Sequence, residues 1–382
     1  MELTTFGVIG TSLKPHEKRV PIHPGHLDRI PAELRSRIVI EIGYGERFGV
    51  SDRSIGDLGF RLAPRDEVLR TTDTVLLFKP VLDDVRQMRA GQTLWGCPHF
   101  VQDRDMTQLA IDRRISVMTI EGMRHWSKGD GFDLFVFHRV SELAGYCSVL
   151  HALEATGKSG LFGGRLSAVV FGYGSTGRGA VTALQSLGVT DLTVATLRAP
   201  ATVAAQPNAA RAVQFADTAD GGAVVVTETG VEVDVDTFVA GTDIVVNCIL
   251  QDPRSPIVLL DDAALQRLPS PALFVDVSCD NEMGFSWASP TTFSSPIRDL
   301  GAHKYYAVDH SPSLLWDAAS AVISEALLPY LPTVMGPRTQ WWADPTIDNA
   351  VEMVDGHLRN QTVVDFQMRA IEYPHAEIGV LA

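Results

Sequence analysis

Three side chains in the first hundred residues have the types that proton transfer and carboxylate binding require. They are Arg19 in HEKRVPIHP, Lys79 closing TVLLFKP and His99 in WGCPHF. Arg grips a carboxylate through two parallel N–H bonds. A Lys partly buried beside another cation is expected to have a depressed pKa, which suits it to shuttling protons. His titrates near neutrality and is the natural general acid and base. Singly, each has a commonplace reading: a solvated charge at a strand end, or a hydrogen-bonded structural histidine. Together they match what imine reduction needs: a cation for a carboxylate, a donor for the carbonyl oxygen or imine nitrogen, and a group that titrates near pH 7.

A second chemical signal lies well downstream, in AVVFGYGSTGRGAVTALQSLG, Ala168 to Gly188. Gly172, Gly174 and Gly177 follow an apolar strand and open a helix, the context that makes a GxGxxG turn meaningful. Gly172 is expected to make the tight turn, Gly174 to let backbone approach a pyrophosphate, and Gly177 to let helix pack on strand. Ser175 and Thr176, within the turn, join them as expected cofactor contacts. A helix start supplies N–H groups and a positive dipole end for phosphate. The next strand, DLTVATLRAP, ends in Thr196-Leu197-Arg198, with Asp191 at its other end. An NAD site usually closes that strand with an acid, whereas an Arg suits a 2′-phosphate. Thr196 and Arg198 therefore favour NADP(H) over NAD(H).

These residues need a scaffold that holds them at strand ends. TTFGVIG, RIVIEIG, TTDTVLLFKP, GQTLWGCPHF and ISVMTIEGM read as short buried strands, with HPGHLDRIPAEL a helix between the first two. HRVSELAGYCSVLHALEATG has a helical period. A second series follows: RLSAVVFG, DLTVATL, DIVVNCIL and ALFVDVSC, with GGAVVVTETGVEVDVDTF as a hairpin insertion. Strands alternating with helices imply parallel sheets. The expected fold class is α/β: two Rossmann-like domains with parallel sheets and an active-site cleft between them. Residues 139–300 form the NAD(P)-binding domain, and 1–138 plus 301–382 a discontinuous catalytic domain. SLLWDAASAVISEALLPYL and the stretch from Asp348 to Ile371 both read as helical.

Composition narrows the partners. A net charge of −14 without a basic block disfavours nucleic acid and anionic membranes. The apolar runs near the strands are too short to span a bilayer, and FGVIG is too short for a signal core. Four scattered cysteines give no zinc pattern and no disulfide framework, so no metal is expected and a cytoplasmic setting is. The composition is compatible with a homo-oligomer.

The motifs KPHEKRVPIHP, LLFKP, CPHF, RVSELAG, the glycine turn and DVSCD occur in an order that resembles the alanine dehydrogenase and pyridine nucleotide transhydrogenase superfamily. PTTF at Pro290–Phe293 and YYAVDHSPSLLWDAAS at Tyr305–Ser320 are similar to the branch with lysine-forming saccharopine dehydrogenase and N5-(carboxyethyl)ornithine synthase. The resemblance implies that Arg19 holds a substrate carboxylate and that Lys79 and His99 are the catalytic pair. It implies that Glu121 and Glu142 contact substrate or orient that pair, and that Asp280, Asp309 and His310 lie by the nicotinamide.

The expected activity is opine-type: an amine and a 2-oxo acid condense to an imine, which NADPH reduces. The alternatives are alanine-dehydrogenase-like reductive amination with free ammonia and a non-catalytic NADP sensor. Small-molecule amino and 2-oxo acids are the expected partners. Replacing Arg198 with Ala is expected to weaken NADPH far more than NADH in parallel fluorescence titrations; equal loss for both would contradict a 2′-phosphate role.

Overall fold

Short, uniformly buried strands dictate the architecture: FGV, IVIE, TVLL and TLWG are buried at every residue, as strands covered on both faces must be. The computed structural model describes residues 4–126, 133–199, 210–218, 222–227, 229–252 and 255–378. The chain divides into one unit of Met1–His138 with Leu315–Ala382 and another of Arg139–Leu314.

In the first unit, β1 (Phe6–Val8), β2 (Ile38–Glu41), β3 (Arg61–Ala63), β4 (Thr74–Leu77), β5 (Thr93–Gly96) and β6 (Ser116–Thr119) pair in parallel. A hairpin of β7 (Arg124–Trp126) and β8 (Asp133–Phe135) follows. The second unit holds β9 (Ser167–Phe171), β10 (Asp191–Thr196), β11 (Arg211–Asp217), β12 (Ala223–Val226), β13 (Glu232–Asp234) and β14 (Ile244–Asn247). It continues with β15 (Val258–Leu260), β16 (Leu273–Asp276), β17 (Gly284–Phe285), β18 (Ile297–Leu300) and β19 (His303–Tyr306). The first unit is completed by β20 (Val351–Val354) and β21 (His357–Leu358).

The first sheet runs β21-β20-β6-β5-β4-β1-β2-β3, and the second β13-β12-β11-β10-β9-β14-β16-β19-β18. In each, the chain builds outward from a central strand, then returns to that strand's other side. The reversal falls between β1 and β4 in one sheet and between β9 and β14 in the other. Loops leaving the carboxyl ends of the two strands at a reversal diverge and leave a crevice, where α/β proteins bind ligands. Alternation along β9 sends Ala168 and Val170 into one apolar layer of the second unit and Val169 and Phe171 into the other.

Helix packing fixes the turn after β9. The helices His138–Ala155 and Ser175–Ser186 touch backbone to backbone: a Cβ on Gly145 would lie 1.9 Å from Thr176 O, and one on Gly179 1.7 Å from Glu142 O. No side chain fits at either glycine.

The structure departs from the sequence reading in four places. HPGHLDRIPAEL breaks into a 3-10 turn, Pro24–Arg29, and a short helix, Ala32–Arg35, because Pro31 forces Ile30 into an extended conformation. The second unit runs to Leu314 rather than 300, because β19 extends the sheet alongside β16 and β18 pairs back on β19. β11, a further parallel strand beside β10, precedes the β12–β13 hairpin; residues 219–221 and 228 of that region lie outside the described residues. Finally, residues 348–371 are not one helix. Asp355 (φ 48°) and Gly356 (φ 83°) make a tight turn between β20 and β21, and β20 pairs antiparallel with β6. The alternating burial of Val351 and Met353 and the Asp-Gly turn are hairpin features.

Ser311–Met335 is long and apolar enough to cross a membrane, with 44% of its most apolar window buried in the chain itself. Ser320 Oγ accepts a bond from Val20 N (3.0 Å) and Ser324 Oγ bonds His26 Nδ1 (3.1 Å). Those contacts are the packing of a core helix.

Candidate active site

Lys79 stands two residues past the end of β4 and Arg19 in the loop that leaves β1, so both sit at the reversal of the first sheet. Ser12 Oγ donates to Lys79 O and ties the two loops together. Past β5, Pro98 leads into His99, whose φ of 53° is left-handed, a costly conformation for a non-glycine residue and one common at functional sites. It turns the imidazole onto the Lys79 ammonium, which contacts His99 Nε2. On the ring's other side, Nδ1 lies 3.3 Å from Glu121 Oε1, and the same oxygen accepts the His99 backbone N–H at 3.2 Å. An ammonium can only donate. His99 therefore accepts at Nε2 and carries its proton at Nδ1, toward Glu121. Lys79 is buried while the His99 side chain is 53% exposed, so the ring links a buried ammonium to solvent.

Burial works to lower the Lys79 pKa, but Cys97, Glu121 and Glu17 together outweigh it and the opposing Arg19, so the pKa is raised. The depressed value expected from the sequence is thereby overturned, because the groups that folding gathers around this Lys outweigh its burial. Burial also pushes the Cys97 thiol far up. Arg19 is likewise not a bare cation. Its Nε and Nη2 are gripped by Glu17 at 2.8 and 2.6 Å, both side chains are buried, and the guanidinium lies 4.8 Å over the Phe78 ring. Cys97, His99 and Glu121 place a sulfur, a ring nitrogen and a carboxylate oxygen within 4.8 Å of one another. The Lys79 ammonium on His99 Nε2 opposes a second cation there. A cavity of about 520 Å³ opens beside Val20 at the carboxyl ends of β1 and β2, lined by Thr11, Glu41, Tyr44 and Arg47.

In the second unit the glycine turn occupies the equivalent reversal. Gly172 has φ 87°, and a Cβ there would lie 2.6 Å from Cys248 O; one on Gly177 would lie 2.0 Å from Gly172 O. A Cβ on Gly174 meets nothing within 4 Å. Two glycines are therefore demanded by the fold, and the third leaves open space at the helix start where Ser175 and Thr176 present N–H groups. A dinucleotide phosphate fits that opening. β10 ends at buried Thr196, followed by exposed Leu197 and Arg198. Asp191, at the strand's start, pairs with Arg211 at 2.7 Å. A cavity of about 530 Å³ touching Ser167, Asp191 and Arg211 lies at the strands' amino ends, away from the glycine turn.

Asp280 follows Cys279, which has φ 46°. The turn is pinned by buried Asp276, whose Oδ1 accepts from Asn247 Nδ2 (3.0 Å) and Cys279 N (3.1 Å) and whose Oδ2 accepts from Tyr305 OH (2.8 Å). Burial drives the Asp276 pKa up to about 7 against those three donors. Asp309 Oδ1 bonds His310 Nδ1 at 2.6 Å, and the His310 ring stands edge-on to Phe293. Thus Arg19, Lys79, His99 and Glu121 belong to the first unit. Glu142, on the helix against Gly179, belongs to the second with the glycine turn, Thr196, Arg198, Asp280, Asp309 and His310. Sequence reasoning missed Glu17, Asn247 and Asp276. Only the position of Asp276 at a strand's carboxyl end pointed to it.

Two family models together account for most of the sequence: the alanine dehydrogenase/PNT N-terminal domain over residues 9–144 and the C-terminal domain over 154–361. The chain belongs to the alanine dehydrogenase/PNT family. It is accordingly a pyridine-nucleotide-dependent oxidoreductase. Among relatives of this alanine dehydrogenase/PNT chain, an N(5)-(carboxyethyl)ornithine synthase of Clostridium botulinum is 25% identical, covering 82% of this chain and 89% of its own. An alanine dehydrogenase of Mycolicibacterium smegmatis is 23% identical over 93% and 95%. Among solved structures, an L-alanine dehydrogenase superposes with a TM-score of 0.76 at 17% identity, covering 94% of this chain and 98% of its own. A transhydrogenase from Sinorhizobium meliloti gives 0.65 at 15% identity, over 93% and 98%. Those two share the fold.

The open space at Gly174 yields a test. Gly174→Ala is expected to change stability by no more than about 1 kcal/mol, the cost of alanine at a helix N-cap. Dinucleotide affinity is expected to fall about tenfold or more. Thermal melts and cofactor titration read the two separately, and unchanged affinity would contradict the phosphate placement.

Proposed function

We propose that this oxidoreductase is an NADPH-dependent dehydrogenase of opine type, which joins the amine of one amino acid to a 2-oxo acid and reduces the imine to a secondary amine. The observation that carries the reading is the contact of Lys79 with His99, backed by Glu121. When bound, the dinucleotide supplies the hydride. Lys79 acts as the general acid: it gives a proton to the carbinolamine hydroxyl, which leaves as water. His99 then passes a proton inward from solvent to the buried amine, and Glu121 stabilises the ring while it carries the extra charge. Arg19 binds a substrate carboxylate in place of Glu17.

The resemblance to a carboxyethylornithine synthase supports a diamino acid as the amine and a short 2-oxo acid such as pyruvate as its partner. Thr196 and Arg198, with no acid at the end of β10, support NADPH over NADH. The proposed setting is cytoplasmic. A second reading, amination of a 2-oxo acid by free ammonia, has the alanine dehydrogenase relatives in its favour.

A spectrophotometric scan of NADPH consumption over amino acid and 2-oxo acid pairs, with products identified by mass spectrometry, separates the readings. A secondary-amine product supports the opine reading, and alanine formed from ammonia supports the second. Binding of NADPH without turnover marks a sensor. Lys79→Met and His99→Gln are each expected to lower kcat by about 10²-fold or more while NADPH titration stays unchanged. Retained turnover with weakened cofactor binding would contradict their roles.

A further inference from the structure

The C-terminal segment brings a carboxyl group up behind the relay. β20 pairs with β6 through Val351–Met118 and Met353–Val117, so two consecutive β6 residues oppose positions that skip Glu352. Glu352 is the extra residue of a bulge, a device that re-aims a side chain. Its Oε1 accepts from Thr119 Oγ1 at 3.0 Å, at the end of β6 and two residues before Glu121. Asn360 bonds the same carboxyl. Among the described residues, Glu121 Oε2 is buried without a hydrogen-bond partner while Oε1 serves His99.

The charged groups on the elements around Glu352 are few. Glu121, two residues past the Thr119 that bonds Glu352, acts on it electrostatically. Asp348 and Arg359, flanking β20 and β21, pair with each other at 2.8 Å. Burial first, and the Glu121 charge second, raise the Glu352 pKa to about 7. Two carboxyls so placed cannot both ionise cheaply.

We propose that Glu352 is a positioning residue for the Lys79–His99–Glu121 relay, holding the single proton that the Glu121–Glu352 pair shares so that one negative charge stands behind His99. The proposal rests on the relay reading given above. When that proton passes to solvent, a second negative charge appears behind Glu121. Lys79 and His99 then hold their protons more tightly, and proton donation to substrate slows.

Glu352→Gln separates this from a packing role, because the amide keeps an oxygen for Thr119 and cannot ionise. The folded protein binds the Glu352 proton more tightly than the unfolded chain, whose glutamate titrates near 4.5. Wild-type stability therefore falls as pH rises from 4.5 to 7, and the Gln variant escapes that loss. Its melting temperature is expected to gain several degrees on the wild type across that window and to keep the gain above it. In a Glu121→Gln background the gain should complete at lower pH, since the neighbouring charge is gone. In the wild type, kcat/KM in the reductive direction is expected to fall about tenfold above neutrality, and that limb should disappear in Glu352→Gln. A pH-independent stability difference, or one that Glu121→Gln leaves unmoved, overturns the shared proton. A shared proton with an unaltered pH–rate limb overturns the positioning role. The stability readout stands even if the relay reading fails, which the Lys79 and His99 variants test on their own.

Discussion

A buried ammonium is the constraint around which the first unit is arranged. Taking a charge out of water costs several kcal/mol even after relaxation, so it persists only with partners. Lys79 is almost fully buried, and its partners arrive from three separate segments: His99 after β5, Glu121 after β6 and Glu17 after β1. Arg19 meets Glu17 in the same way. Two cations are thus set against two carboxylates, and the region is balanced rather than the cluster of excess cations that the linear motifs suggest. On the function proposed above, a substrate carboxylate would have to compete with Glu17 for Arg19.

Parallel sheets explain why these groups meet. Each unit reverses its strand order once, and in each the chemically equipped loops leave the carboxyl ends of the strands at that reversal. In the second unit the precision comes from backbone contact. Gly145, Gly172, Gly177 and Gly179 each lie where a Cβ would meet a carbonyl oxygen at 2.6 Å or less. Gly174 alone in the turn faces open space. Glycines that look alike in sequence therefore divide into those that hold the helix and one that leaves room for a ligand.

Much of this was legible in the sequence. Mostly apolar strands such as TVLL and IVIE announce themselves, and the glycine turn between a strand and a helix fixes the nucleotide-type unit. Lys79 and His99 stood out as polar residues closing apolar runs, and they do meet. Their electrostatics were not legible: Glu17 is two residues from Arg19 and Glu121 twenty-two from His99, and only folding shows which carboxylate faces which cation. The C-terminal segment misled because VEMVDGHL carries apolar residues compatible with helix, while the pairing with β6 is long-range. Its Asp-Gly turn was the signal available, and the bulge at Glu352 was not, since register irregularities arise from strand pairing.

The Lys79–His99–Glu121 arrangement depends on the protonation of one ring. Nitrogen-15 NMR of the protein labelled at histidine, with His99 assigned by comparison with His99→Gln, reads the tautomer directly at neutral pH. An ammonium donating to Nε2 and a carboxylate receiving from Nδ1 predict a neutral ring protonated at Nδ1. A ring protonated at Nε2, or at both nitrogens, would contradict the arrangement.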